Sequence, residues 1–105
     1  MTNKEYVINK AKLIFAPKLN VFTKLYMIPN LISINQIFDE MNQKVFEPFN
    51  TDIKGYLFFL DKVPFANGPH PCEYLFIAND TVYLMKDHVV APLNKMVFEA
   101  IPFSL

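Results

Sequence analysis

Eight prolines (Pro17, Pro29, Pro48, Pro64, Pro69, Pro71, Pro92 and Pro102) cut this chain of 105 residues into short stretches. Proline cannot donate a backbone hydrogen bond, and it steers the residue before it away from helical geometry. Each helix or central strand must therefore fit between two such marks. Its type is read from the pattern within its own stretch.

Thr2-Asn3-Lys4-Glu5 has the form of a capping box. Val7, Ile8, Ala11, Ile14 and Phe15 follow at helical spacing, and Pro17 closes the stretch, so a helix is expected over 3–15. Residues 20–28 are rich in β-branched and aromatic types and read as a short strand or extended segment. Ser33 then precedes Ile34, Ile37, Phe38, Met41 and Val45, one apolar stripe that predicts a helix over 34–46. Residues 55–63 and 73–78 are nearly continuous apolar runs. Such runs read as strands, and 55–63 as a central one buried on both faces. Asn79-Asp80 is a two-residue turn to a third strand at 81–86, which makes an antiparallel hairpin. Pro92 suits a helix start, with Leu93, Met96, Val97 and Ala100 at helical spacing and Pro102 as the stop.

The order is helix, extended segment, helix, strand, hairpin, helix. The expected fold class is α+β: one small domain over 1–105, an antiparallel sheet of three to four strands, and two or three helices packed mainly on one face.

Composition narrows function more than fold. The chain has no Arg and no Trp, Ser only at Ser33 and Ser104, and Gly only at Gly55 and Gly68. Gly-rich phosphate cradles and nucleophile elbows have no residues to build them. One cysteine excludes an internal disulfide, no apolar run reaches the ~18 residues of a membrane span, and the N-terminus lacks a signal-peptide core. A soluble cytoplasmic protein is the expectation. Eleven Phe and five Tyr are a large aromatic load for a core of this size; a Phe-rich core in place of Leu and Trp is the ordinary reading, and area facing a partner is the alternative. Charge is neutral in total but uneven: lysines dominate residues 1–24, and Asp39, Glu40, Glu47, Asp52 and Asp61 dominate 25–61.

Three groups of residues bear on chemistry. His70, Cys72 and Glu73 lie near Asp87-His88 if the hairpin turns at Asn79-Asp80. They offer either a zinc-binding set or a Cys72–His88 nucleophile pair. Only one short-spaced ligand pair is present and nothing marks an oxyanion site, so no metal, cofactor or catalytic residue is assigned. Lys10, Lys12, Lys18 and Lys24 with Phe15 and Phe22 resemble a phosphate-contacting strip, but absent Arg and zero net charge argue against nucleic acid. Tyr56, Phe58, Phe59, Phe65, Tyr74, Phe76 and Tyr83 would line a ligand pocket if they do not fill the core.

The leading expectation is a non-enzymatic protein-binding module, an inhibitor or immunity-type protein of bacterial or phage kind. It would occlude a partner such as a toxin or host enzyme, with Asp39, Glu40, Glu47 and Asp52 steering a basic surface and exposed aromatics anchoring it. The alternatives are a cysteine- or metal-dependent enzyme centred on His70, Cys72 and His88, and a carrier with an aromatic pocket. No membrane partner is expected, and a free sheet edge would permit a homodimer.

Overall fold

The computed structural model describes residues 4–47, 52–66, 68–78, 83–93 and 97–104. Its frame is β3 (Lys54–Asp61), an eight-residue strand whose apolar run has both faces covered. On one edge β3 pairs antiparallel with β4 (Cys72–Ile77), from Tyr56↔Ile77 to Asp61↔Cys72. On the other edge two short strands follow one another, β1 (Lys24–Met27) against residues 58–61 and β2 (Ile32–Ser33) against 54–55. Pro29 lies in the gap between them, outside both ladders, so its missing N–H costs no bond to β3. β5 (Tyr83–His88) pairs with β4, and β6 (Glu99–Ile101) pairs with β1, so the order is β5-β4-β3-β1-β6 with β2 beside β3. At Gly55 the two central strands run close together. A Cβ there would lie 2.5 Å from the Ile77 carbonyl oxygen.

Helix α1 (Lys4–Phe15) covers one face of this sheet. Its buried residues Val7, Ala11 and Phe15 recur every four positions and meet Leu25, Met27, Phe58, Leu60, Leu75, Ile77 and Ile101. The opposite face, carrying Leu57, Phe59, Cys72, Tyr74 and Phe76, is covered by Ile34, Ile37, Val45 and Phe46. Burial on both faces, expected for residues 55–63, therefore holds for β3 and β4. The Cα radius of gyration of 13.0 Å is that of a compact chain of about 100 residues.

The helix count and strand count differ from expectation. The described residues form one α-helix and six antiparallel strands, not two or three helices on three to four strands. The 34–46 stretch makes a single 3-10 turn, Ile34–Gln36, capped by Ser33, which accepts from the Asn35 N–H at 3.2 Å. It then folds as a tight hairpin: Val45 N–H donates to Ile37 O at 3.1 Å and Asp39 N–H to Gln43 O at 2.9 Å. Two local features defeat the helix. The Asp39 carboxylate accepts from the N–H groups of Met41 (2.9 Å) and Gln43 (3.0 Å), replacing their helical acceptors, and Asn42 adopts φ 61°. Ile34, Ile37 and Val45 of the apolar stripe are still buried, but Met41 is exposed.

The third helix also fails. Pro92 bridges to Asp39, and Glu99–Ile101 extends along β1, whose outer edge would otherwise be unpaired. Met96, like the Asn79-Asp80 turn and the Thr2 cap, lies outside the described residues. The helix at 3–15 is borne out as α1, and the segment 20–28 contributes β1 after a turn at Asn20–Thr23.

Candidate functional site

One rung of the sheet organises the chemistry. Lys24 opens β1 opposite Asp61, which ends β3; Asp61 faces Cys72, which opens β4; Cys72 faces His88, which ends β5. The segments 19–23, 62–71 and 89–93 therefore all leave the sheet at the same end. The rung spans three interstrand spacings, about 14 Å.

Beneath these segments lie three buried carboxylates, each with cationic or imidazole partners. Asp61 accepts from His70 Nε2 at 2.8 Å and from the Val63 N–H at 3.1 Å, while His70 Nδ1 lies 2.7 Å from Gly68 O. This set fixes the proline-rich 62–71 loop at both ends. Glu73 takes Lys18 and, at 2.8 Å, Lys62; Lys62 also reaches Asp87 at 3.6 Å. Burial acts to raise the Glu73 carboxyl, but the two ammonium groups outweigh it and hold the group below the ordinary carboxylate range. The bond to Glu73 in turn raises Lys62. Asp39, 2% exposed, joins the hairpin cover to the sheet by accepting from His88 Nε2 at 2.9 Å. Burial again acts upward there, and the bonds from His88, Gln43 and Met41 bring the net shift down. Tyr74 packs edge-on to His88 at 5.6 Å and donates to Val90 O at 2.7 Å. Burial, with Cys72, Asp39 and Glu40 nearby, pushes its phenol far up.

Above this charged base, exposed apolar side chains stand among charged and polar ones such as Lys24 and Asp87. Phe65 is 80% exposed in the 62–71 loop, and Val21 (77%) and Phe22 (65%) project from the 19–23 turn. That turn is held by the Asn20 carbonyl of its side chain, which accepts from the Phe22 and Thr23 N–H groups at 2.7 and 3.1 Å. Val63, Val89 and Met41 add to the exposed apolar set. Two depressions flank Val89 and Val90. One of about 460 Å³ is walled by Met41, Ala66, His70 and Ala91, and one of about 440 Å³ by Lys62, Pro71, Cys72 and His88. A larger trough of about 660 Å³ along Leu13, Leu19 and Phe103 contains none of the buried ionic groups.

The expected site residues are dispersed. Of the proposed acidic patch, Glu40, Glu47 and Asp52 are exposed, Asp52 accepting from Ser33 Oγ, but Asp39 is internal. Asp39 therefore cannot present its charge to a partner. The observed register sets Cys72 opposite His88, one residue on from Asp87, the partner that symmetry about Asn79-Asp80 would give. Yet His88 turns to Asp39, His70 turns to Asp61, and Cys72, 2% exposed, points its thiol at Val90 O, 3.7 Å away. Among the described residues no three His, Cys, Asp or Glu side chains are placed to hold a metal ion. The rings proposed for a ligand pocket mostly fill the interior: Phe59 packs on Tyr74 at 5.4 Å and on Phe98 at 6.3 Å. The Tyr83 side chain lies outside the described part. The recess beneath the hairpin cover, about 120 Å³, falls below the range of small-molecule sites.

Sequence reasoning missed the partners of two buried acids, His70 for Asp61 and Lys18 with Lys62 for Glu73. The signal was available: an acid within a run buried on both faces must find a hydrogen-bonding partner. Among the described residues no helix is long and apolar enough to cross a membrane. Comparison with protein-family models, curated proteins and solved structures yields no match.

Proposed function

We propose that this chain is a non-enzymatic protein-binding module whose binding face is the sheet end formed by segments 19–23, 62–71 and 89–93. The carrying observation is the pairing of exposed apolar side chains, Phe65, Phe22 and Val21 foremost, with a base of buried, hydrogen-bonded carboxylates that fixes the loops presenting them. Exposed aromatics on preset loops are what interface anchors require, because little conformational entropy is lost on docking. The two depressions beside Val89 would receive side chains of the partner. The mode is occlusion, as for an inhibitor: a small rigid body covers a functional surface. Glu40, Glu47 and Asp52 are left to contribute long-range steering, which affects association rate more than affinity.

A photo-cross-linking side chain placed at position 65 tests this in extracts of the source cells. The expected result is one discrete cross-linked protein from position 65 and none from a control position at Leu13, on the outer side of α1. Equal labelling from both positions would reject the assignment of the face.

A second reading, thiol enzymology, draws on Cys72 opposite His88 with Asp39 on the ring. Burial of the sulfur stands against it. A catalytic thiolate would react with iodoacetamide faster than free cysteine; this account expects a slower reaction.

A further inference from the structure

We propose that β5 is a docking edge for an extended segment of a partner polypeptide, which adds to the sheet as a further strand. The inference rests on β5 alone and does not require the sheet-end face.

β5 ends the strand order, and its ladder runs to β4 on one side. Among the described residues no strand pairs with its other side. The opposite edge, β6, offers three residues; β5 offers six, with Met85, Lys86 and Asp87 exposed. A sheet edge of that length is a template for strand addition, where main-chain bonds supply affinity and alternate side chains supply selectivity.

The side chains along β5 define the occupant. Register places Leu84, Lys86 and His88 on the face of Phe76, Tyr74 and Cys72, and Met85 and Asp87 on the face of Leu75 and Glu73. Beside Leu84 a recess of about 210 Å³ is walled by Val45, Phe46, Glu47, Met85 and Lys86. A complementary strand therefore carries an apolar side chain opposite Leu84, an acidic one opposite Lys86 two positions away, and a basic one opposite Asp87 on the other face. A second copy of this chain fits poorly. Two-fold antiparallel pairing sets one residue opposite its own counterpart, and at Lys86 or Asp87 that brings like charges together. Centring on Met85 avoids this but puts Leu84 opposite Lys86, and centring on Leu84 pairs only residues 83–85 of each described strand.

The test is selection of eight-residue peptides from a random display library on the intact protein, followed by affinity measurement with the selected peptides. The expected result is enrichment of an apolar residue two positions from an acid, binding weakened roughly tenfold by Lys86→Glu, and slowed exchange of the 84–88 amides in the complex. Lys86→Glu should in turn select a basic residue at the former acidic position. Phe22→Ser with Phe65→Ser should leave peptide binding intact, which separates this proposal from the sheet-end face. Three results would each overturn it: no enrichment, peptides indifferent to Lys86→Glu, or a light-scattering mass of two chains with β5 protected in the absence of peptide.

Discussion

α1 and the 34–46 segment cover opposite faces of one sheet, and they do so by different means. α1 contributes an apolar stripe, and its hold on the sheet is chiefly the area that Val7, Ala11 and Phe15 bury. The 34–46 segment also buries apolar side chains, but its path is set by one carboxylate. Asp39 ties the hairpin to itself through Met41 and Gln43 and to the sheet through His88. A cover held by area responds to volume changes; a cover held by a buried ionic hydrogen-bond set responds also to protonation. The contrast teaches where this molecule is sensitive, and four predictions test it.

The largest effects should be equal on the two faces. Phe58 and Phe59 are neighbours that point to opposite covers, and both are fully buried. Each change to Ala should cost about 3–5 kcal/mol in denaturant unfolding. A much smaller loss at Phe59 would show that the hairpin cover is not a true core layer.

Asp39→Ala should come next, at roughly 1–3 kcal/mol, because the Met41 and Gln43 N–H groups and the His88 ring lose a buried acceptor. Amide exchange should accelerate at 38–45 and remain unchanged at 7–15. Uniform acceleration would erase the distinction between the covers.

Third is pH. Asp39 and Glu73 titrate below their ordinary values in the folded protein. Their stabilisation is therefore complete above unfolded-state values of about 3.9 and 4.3, and it disappears as pH falls through the lowered ones. Asp39→Asn should lessen the acid loss seen by exchange in the hairpin. Glu73→Gln should lessen it where Lys18 meets the sheet. Tyr74 and Lys62 act at the other limit. Their raised values mean stabilisation that is intact below unfolded-state values near 10 and about 10.4, and that is lost as pH rises further. Ultraviolet titration should show one phenol that ionises only with unfolding.

The smallest effects should be at the exposed residues of each cover. Leu13→Ser and Met41→Ser should each change stability by no more than about 0.5 kcal/mol.

The same contrast explains what could be read from residues alone. α1 was legible because its apolar spacing and its stopping proline agree. β3 and β4 were legible because an unbroken apolar run has only a two-sided interior to occupy. The 34–46 stretch carries equally good helical spacing, but Asp39 offers the backbone local bonds, and Asn42 a left-handed turn, that spacing does not register. Glu99–Ile101 was taken by the open edge of β1, a demand that arises only once the sheet exists. The site was legible in fragments. The nearness of Cys72 to Asp87-His88 followed from hairpin symmetry, though the register differs by one residue, whereas the meeting of Asp39 with His88 joins residues 49 apart that no local pattern relates. Phe65 among three prolines was visible as an aromatic. Its exposure was not, because that depends on the path of a loop tied at its ends by Asp61 to Val63 and His70.

The central claim is that the loops at the Asp61–Cys72–His88 end act through their exposed rings. It is tested most directly by immobilising the wild-type protein and the Phe22→Ser/Phe65→Ser double variant side by side and comparing what each retains from source-cell extract, with thermal unfolding measured on both. The account predicts a partner held by the wild type and lost by a variant of unchanged thermal stability. Equal retention of the same partner by both would contradict it.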